Sequence, residues 1–184
     1  MSSGFPLMSG RLPRRTRALA SALIAGALCM SATPLRAAPA CSASTPAARN
    51  FVLRDVDNHK WTFASTKGKV VLLDFWATWC APCKIEIPGF VEMYDRYKAD
   101  GFEVVGVSMD TDLPGIKAFA GEHRINYPIL IGAGADGVSR AFDVEGLPTT
   151  VLVTRDGRIC RTFVGETSKA QFEDVITQLL AAPR

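Results

Sequence analysis

The sequence predicts an α/β sandwich in which helices flank a central mixed β-sheet. Two apolar segments, 70–76 and 102–109, are each followed by a helical pattern, which is typical of strands joined by crossover helices. Near the end of the chain, 149–153 and 159–164 flank an Asp-Gly turn, which indicates an antiparallel hairpin. A sheet with both kinds of connection contains parallel and antiparallel strands, and these three observations give the fold class.

The elements before and after the first apolar segment follow from local patterns. Residues 50–63 alternate apolar and polar side chains around an Asp-Asn pair, which predicts an N-terminal β-hairpin. A helix should begin after Cys80 and run to about Lys98. Pro88 lies inside that helix and should kink it, because proline removes a backbone hydrogen bond.

The second half of the chain continues the alternation of strands and helices. Asp112 offers an N-cap for a helix over 113–122, and 127–131 and 138–142 predict a short strand and a short helix. The closing helix begins after Ser168, which forms a capping-box pattern with a glutamine three residues later. Its apolar stripe consists of Phe172, Val175, Ile176, Leu179 and Leu180.

Residues 1–40 have the organisation of an export signal. Five arginines and no acidic residue occur there, and an apolar segment of 13 residues, 18–30, follows the basic cluster. The sequence Ala38-Pro39-Ala40 then resembles a cleavage site. The alternative is an uncleaved membrane anchor. We therefore expect a signal peptide or anchor over 1–40, a linker over 41–49 and the folded domain over 50–184.

The charge and cysteine content fit an exported domain. Without the five arginines of the leader, 16 basic residues face 18 acidic ones, so the net charge changes from +3 to −2. This balance gives no electrostatic reason to predict nucleic-acid binding. Because Cys29 lies in the predicted leader, four cysteines remain, an even number in a compartment where disulfides persist. They are Cys41, Cys80, Cys83 and Cys160.

The motif Trp79-Cys80-Ala81-Pro82-Cys83 carries the clearest chemistry. Two cysteines three residues apart at the start of a helix, directly after a buried strand, indicate disulfide exchange. We expect Cys80 to be the attacking thiol, because the amides of a helix N-terminus favour a thiolate, and Cys83 to be the resolving thiol. A structural metal site would need two further ligands, and the sequence has no second Cys/His pair.

Two acidic residues are candidates for accepting the proton of Cys83. Asp74 interrupts an otherwise apolar strand, and a carboxylate buried there would have a raised pKa. Glu86 follows Cys83 by three residues and so shares its helical face. The alternatives are a structural role for Asp74 and a solvated helix surface for Glu86.

These motifs resemble the thioredoxin superfamily over residues 50–181. The segment from Asp74 to Cys83 resembles the thioredoxin active site, and Gly146-Leu147-Pro148-Thr149-Thr150 resembles the cis-proline loop. The N-terminal hairpin, Lys67-Gly68-Lys69 and the inserted helix over 113–122 resemble the TlpA/ResA branch, which is related to the AhpC/TSA proteins. The expected fold is a thioredoxin-like sandwich with an N-terminal β-hairpin and a central inserted helix.

The resemblance also implies how clients are bound. Pro148, in the cis form, would lie against the redox pair, and the backbone of Leu147 would pair with a client strand. Trp79 would shield the sulfurs and offer a flat apolar contact. Members dedicated to cytochrome c maturation carry an acid directly after this proline, whereas this chain has Thr149.

The implied function is that of a periplasmic thiol-disulfide oxidoreductase that reduces protein disulfides. Apocytochrome c or copper-site proteins would be its clients, and a membrane electron donor of the DsbD/CcdA type would recharge it. No cofactor, metal or nucleic acid is expected. The alternatives are a thiol peroxidase of the peroxiredoxin type and a Cu(I) metallochaperone.

The remaining two cysteines predict a structural disulfide between Cys41 and Cys160. The even count of cysteines in an oxidising compartment favours this pairing. The alternative is lipidation of Cys41, which would leave Cys160 as a small buried apolar residue.

Overall fold

A computed structural model of the chain describes Cys41 and residues 45–182. The signal peptide or anchor predicted over 1–40 lies outside the described residues. The strands are β1 (Val52–Arg54), β2 (Lys60–Thr62), β3 (Val70–Trp76), β4 (Phe102–Ser108), β5 (Ile129–Ile131), β6 (Thr149–Val153) and β7 (Ile159–Val164). The α-helices are α1 (Ala81–Tyr97), α2 (Leu113–Glu122), α3 (Asp136–Ala141) and α4 (Lys169–Ala181), with short 3-10 turns at Phe63–Thr66 and Lys98–Asp100.

The central sheet has five strands in the order β5-β4-β3-β6-β7. β3 pairs in parallel with β4, and β4 with β5, because a helix crosses over between the members of each pair. β6 pairs antiparallel with both β3 and β7. The sheet is therefore mixed, which confirms the predicted fold class.

Both faces of the sheet are covered, and this explains why every residue of β3 except Asp74 is apolar. All seven of its residues are buried. Val70, Leu72 and Trp76 lie on one face and pack with α1, α2 and α4. Val71, Leu73 and Phe75 lie on the opposite face of the sheet. That second face carries the β1–β2 hairpin and the short helix α3.

The predicted N-terminal hairpin is present, and residues 46–48, which precede it, form backbone hydrogen bonds with the β6–β7 hairpin. The backbone of Ile159 donates to Pro46 O over 2.8 Å, and Ala48 N–H donates to Gly157 O over 2.8 Å. This segment therefore extends the edge of the β6–β7 hairpin. Its Ala/Ser/Pro-rich sequence has no strand periodicity, which is why the sequence pattern alone did not indicate the pairing.

Helix length bears on membrane association. Among the helices of the described residues, none combines the length and apolar character that crossing a bilayer requires.

The parallel register brings the C-terminal ends of β3 and β4 together. Trp76 pairs with Ser108, so β3 and β4 both end at the same edge of the sheet. On the other side of β3, Phe75 pairs with Thr149, the first residue of β6. The segments that leave or enter the sheet here carry the candidate site.

Candidate active site

Cys80 and Cys83 form a disulfide at the N-terminus of α1, with their Cα atoms 5.3 Å apart. Cys80 is the N-cap residue, in extended conformation, and its Sγ accepts the backbone N–H of Cys83 over 3.3 Å. Pro82 fits the first turn of α1, because the N–H that proline lacks would have no intrahelical acceptor there. Cys80 is 4% exposed and Cys83 is 1% exposed, so both residues are buried in the disulfide form.

Trp79 directly precedes this disulfide and has the opposite environment. Its side chain is 70% exposed, although tryptophan is usually buried over most of its area. Ile85 in the first turns of α1 and Val164 at the end of β7 are also largely exposed. An apolar side chain that does not pack on its own domain is available to contact another molecule.

The loop before β6 adjoins the end of β3. The peptide bond between Leu147 and Pro148 is cis, and Pro148 is buried. The Thr149 hydroxyl donates to Gly146 O over 2.7 Å, and Gly165 N–H donates to Pro148 O over 2.9 Å. These two contacts hold the loop between the sheet and the segment that follows β7.

Asp74 lies in the middle of β3 and is 1% exposed. Its Oδ1 accepts the Thr150 hydroxyl over 3.4 Å, while its Oδ2 has no hydrogen-bond partner among the described residues. Burial raises the pKa of Asp74 well above its ordinary value, and the charge of Glu86 raises it further. The Thr150 hydrogen bond opposes these effects.

Glu86 lies on α1, one turn beyond Cys83, and is 5% exposed. The alternative of a solvated helix surface is therefore wrong, because the segment between β7 and α4 covers this side chain. Glu86 Oε1 accepts the backbone N–H of Thr167 over 2.6 Å, and Oε2 has no partner among the described residues. Burial raises the pKa of Glu86 to about 7, against the Thr167 hydrogen bond, and the charge of Glu166 adds to the increase.

Sequence reasoning missed two buried polar groups next to Asp74. The Trp76 indole N–H and the Tyr127 hydroxyl are buried and have no partner among the described residues. Burial raises the pKa of Tyr127 well above its ordinary value, as does the charge of Asp74. The signal in the sequence was Gly106, which pairs with Asp74 and where a Cβ would lie 2.8 Å from Trp76 Nε1.

A second contact that sequence reasoning missed joins Thr78 to Asp110. The Asp110 carboxylate accepts both the backbone N–H and the hydroxyl of Thr78, two residues before Cys80. An acidic residue just after the end of β4 was the available signal, since loops at this edge of a sheet carry functional groups.

Cys41 and Cys160 are joined by a disulfide, with their Cα atoms 4.8 Å apart. Cys160 lies near the start of β7, whereas Val164 at the other end of β7 pairs with Thr149 beside Pro148. The two disulfides are thus at opposite ends of the sheet, and four residues of strand separate Cys160 from Val164 by about 13 Å.

Within the described residues, no group of three or more His, Cys, Asp or Glu side chains could hold a metal ion. The site combines a disulfide at the N-terminus of α1, a cis-proline loop that leads into β6 next to the end of β3, and two buried acids. A disulfide so placed can exchange with thiols, because opening it yields a sulfur at the positive end of a helix. The fold and the site define the class of thioredoxin-fold thiol-disulfide oxidoreductases.

Comparisons with known proteins agree with this class. The family model described as Redoxin matches residues 36–179, and the chain belongs to that family. It is 33% identical over 127 residues to thiol-disulfide oxidoreductase ResA of Bacillus subtilis (strain 168), which covers 69% of this chain and 70% of the relative. It is 35% identical over 126 residues to ResA of Geobacillus kaustophilus (strain HTA426), covering 68% of this chain and 72% of the relative.

Solved structures give the same result. A thioredoxin family thiol:disulfide interchange protein from Chlorobium tepidum TLS superimposes with a TM-score of 0.69 at 31% identity, covering 76% of this chain and 99% of the other. StoA from Bacillus subtilis shares the fold, with a TM-score of 0.59 at 23% identity over 70% of this chain and 96% of the other. The protein is thus a thiol-disulfide oxidoreductase of the thioredoxin superfamily, similar to the TlpA/ResA branch.

Proposed function

We propose that the protein reduces protein disulfides in the periplasm, with Cys80 as the attacking thiol and Cys83 as the resolving thiol. One observation carries this assignment: Cys80 Sγ is at the N-cap of a 17-residue helix and accepts the N–H of Cys83. A negative sulfur is stabilised by such an amide and by the helix dipole. Cys83 lies inside the first turn of α1, whereas Cys80 precedes the helix as its N-cap, so Cys83 is suited to act within the enzyme rather than on the client.

The reaction consists of two exchanges that transfer two electrons. The Cys80 thiolate attacks one sulfur of the client disulfide, which forms a mixed disulfide and releases the other client sulfur as a thiolate. Cys83 then loses its proton and attacks Cys80 Sγ, which closes the enzyme disulfide and releases the second client thiolate. The client is reduced to its dithiol, and the enzyme is oxidised to the disulfide form.

The proton of Cys83 is transferred to Asp74 in this proposal. Asp74 is fully buried on the face of the sheet that carries both cysteines, and its Oδ2 has no partner among the described residues. Glu86 is the competing acceptor and also has one oxygen without a partner among the described residues. Its other oxygen, however, binds the Thr167 N–H over 2.6 Å, a shorter contact than the 3.4 Å between Asp74 and the Thr150 hydroxyl. In its ionised form each acid is a stronger base than an exposed carboxylate, because its pKa is raised.

The burial of the redox pair favours a reducing enzyme. Cys80 and Cys83 are both buried, and apolar surroundings disfavour a charged thiolate, which is the form that stabilises the reduced state of strongly oxidising relatives. This burial therefore favours the disulfide form of the enzyme and the transfer of electrons to the client.

Client binding is assigned to Trp79, Leu147 and Pro148. The exposed indole of Trp79 offers a flat apolar surface, and the Leu147–Pro148 loop, which leads into β6 next to the end of β3, would contact the client backbone. Ile85 in the first turns of α1 and Val164 at the end of β7 are further exposed apolar side chains. A client segment with apolar side chains flanking its cysteine fits these contacts.

The periplasmic location is inferred from the leader-like pattern of residues 1–40, in either a cleaved or an anchored form. The Cys41–Cys160 disulfide is consistent with an oxidising compartment. Such a compartment supplies no reductant, so the proposed source of electrons is a membrane donor of the DsbD/CcdA type. The proposed clients are apocytochrome c or copper-site proteins, and Thr149 after the cis-proline does not decide between them.

Trapping the mixed disulfide tests the assignment of the two thiols. We expect reduced Cys83→Ser protein to accumulate a covalent adduct with an oxidised Cys-x-x-Cys-His peptide, because the resolving step is removed. Cys80→Ser protein should form none, and both variants are made in the Cys41→Ala/Cys160→Ala background so that no thiol outside the site can form an adduct. An adduct with Cys80→Ser but not with Cys83→Ser would reverse the roles. Repeating the assay with a disulfide from a copper-site protein distinguishes the two client classes.

A further inference from the structure

The turn between β3 and α1 is fixed by hydrogen bonds that take no part in the thiol-disulfide exchange itself. Met109 N–H donates to Trp76 O over 2.8 Å, and Cys80 N–H donates to Ala77 O over 3.1 Å. Between these two points lie Thr78, which is half-buried, and Trp79, which is 70% exposed. Since Trp79 packs little against the domain, Thr78 is the side chain that can hold this turn.

Thr78 binds a single carboxylate through both of its donors. Its backbone N–H donates to Asp110 Oδ2 over 2.7 Å, and its hydroxyl donates to Asp110 Oδ1 over 2.9 Å. The Ser108 hydroxyl also donates to Asp110 Oδ2, over 3.0 Å, and accepts the Asp110 N–H over 3.3 Å. Asp110 is 9% exposed and Ser108 is fully buried, so this group of bonds is largely shielded from water.

These contacts join the end of β4 to the residues directly before the redox pair. β3 and β4 are parallel neighbours, and Trp76 pairs with Ser108 at their last position. Asp110 therefore reaches across from the next strand and holds both donors of Thr78 in one orientation. The direction in which the chain enters α1 follows from that orientation, and with it the position of Cys80 as N-cap.

We propose that Asp110 is a positioning residue for thiol-disulfide exchange and acts through Thr78. Fixing the turn places Cys80 Sγ where the Cys83 amide binds it and where a client sulfur can approach in line. The inference rests on the proposed role of Cys80 as the attacking thiol. It assigns a function to a carboxylate that neither binds the client nor takes a proton.

Three substitutions separate the geometry of Asp110 from its charge. Asp110→Ala removes all the hydrogen bonds of its side chain. Asp110→Asn removes the charge, but its amide oxygen can accept the Thr78 N–H and its amide nitrogen can donate to the Thr78 hydroxyl. Thr78→Val removes only the hydroxyl bond. Asp112→Asn is the matched control, because Asp112 is exposed on the same segment and its side chain makes no capping hydrogen bond.

Two rates are measured on the reduced full-length protein: kcat/KM for an oxidised Cys-x-x-Cys-His peptide, and alkylation of Cys80 by iodoacetamide. We expect Asp110→Ala to lower kcat/KM about tenfold and Thr78→Val about threefold, because the attacking sulfur is no longer held in place. Asp110→Asn should recover most of the loss, and Asp112→Asn should match the wild type. The alkylation rate should change in the same order.

Wild-type rates in Thr78→Val and in folded Asp110→Ala protein would overturn the inference, since the bonds would then be structural only. An Asp110→Asn protein as slow as Asp110→Ala would also overturn it, because charge rather than geometry would be acting. Where Asp110→Ala does not fold, Thr78→Val alone decides. Alkylation does not depend on any client, so a wild-type protein that fails to reduce the peptide counts against the proposed function and not against this role.

Discussion

Replacing Glu86 with glutamine removes one buried ionisable group and keeps an oxygen that can accept the Thr167 N–H. The pKa of Glu86 is about 7 in the folded protein, against 4.5 for an ordinary glutamate, chiefly because burial disfavours the carboxylate. Each pKa unit corresponds to about 1.4 kcal/mol. Ionised Glu86 therefore lowers the free energy of unfolding by about 3 kcal/mol relative to the protonated form.

The sign of the pH dependence follows from proton binding. The folded protein holds the Glu86 proton more tightly than the unfolded chain does, so this contribution to stability is fully present below pH 4.5. It is lost as the pH rises through about 7. The Glu86→Gln variant lacks this titration. Its stability relative to the wild type should therefore rise by about 3 kcal/mol between pH 4 and pH 8.

Urea unfolding of the oxidised proteins across pH 4 to 9 measures this difference, and titrations common to both proteins cancel. Glu122→Gln is the matched control, because Glu122 is exposed at the end of α2. It should show no comparable change with pH. A difference between wild type and Glu86→Gln that stays constant across the range would refute the reasoning, since Glu86 would then have an ordinary pKa in the folded protein.

Three further expectations concern the site and the second disulfide. Asp74→Asn should slow the closing of the enzyme disulfide more than Glu86→Gln does, and stopped-flow rates in the reverse order would reject Asp74 as the proton acceptor. Trp79→Ala should lower kcat/KM for a peptide disulfide but not for a small aromatic disulfide. Because Trp79 is 70% exposed, stability should change by about 0.5 kcal/mol or less in urea unfolding. The double substitution Cys41→Ala/Cys160→Ala should lower the free energy of unfolding by about 2–4 kcal/mol and leave the exchange rate unchanged; an altered rate would argue for redox exchange between the two disulfides.

Much of the fold could be predicted because the strongest sequence signals are local. β3 and β4 are buried on both faces and so consist mainly of apolar residues, six of seven in β3 and four of seven in β4. The capping box at Ser168 fixes the start of α4, and the Asp-Gly turn fixes the last hairpin. The redox pair was equally clear, since its spacing and the helix after it are read directly from the sequence.

The parts that sequence did not predict depend on contacts between distant segments. Glu86 is buried by Thr167, 81 residues away along the chain, so its own helix pattern could not indicate its environment. Thr78 and Asp110 are 32 residues apart and meet only because β3 and β4 are parallel neighbours. The pairing of Ala47 with Arg158 depends in the same way on tertiary structure rather than on local propensity.

The reduction potential of the Cys80–Cys83 pair tests most directly whether this protein reduces its clients. It is measured by equilibrating the full chain with glutathione redox buffers and quantifying the reduced fraction by alkylation, with Cys41→Ala/Cys160→Ala as background to isolate the pair. Because the burial of Cys80 and Cys83 disfavours the thiolate, we expect a value of about −220 mV or lower. A value near about −120 mV, where strongly oxidising relatives lie, would contradict the assignment as a reductant.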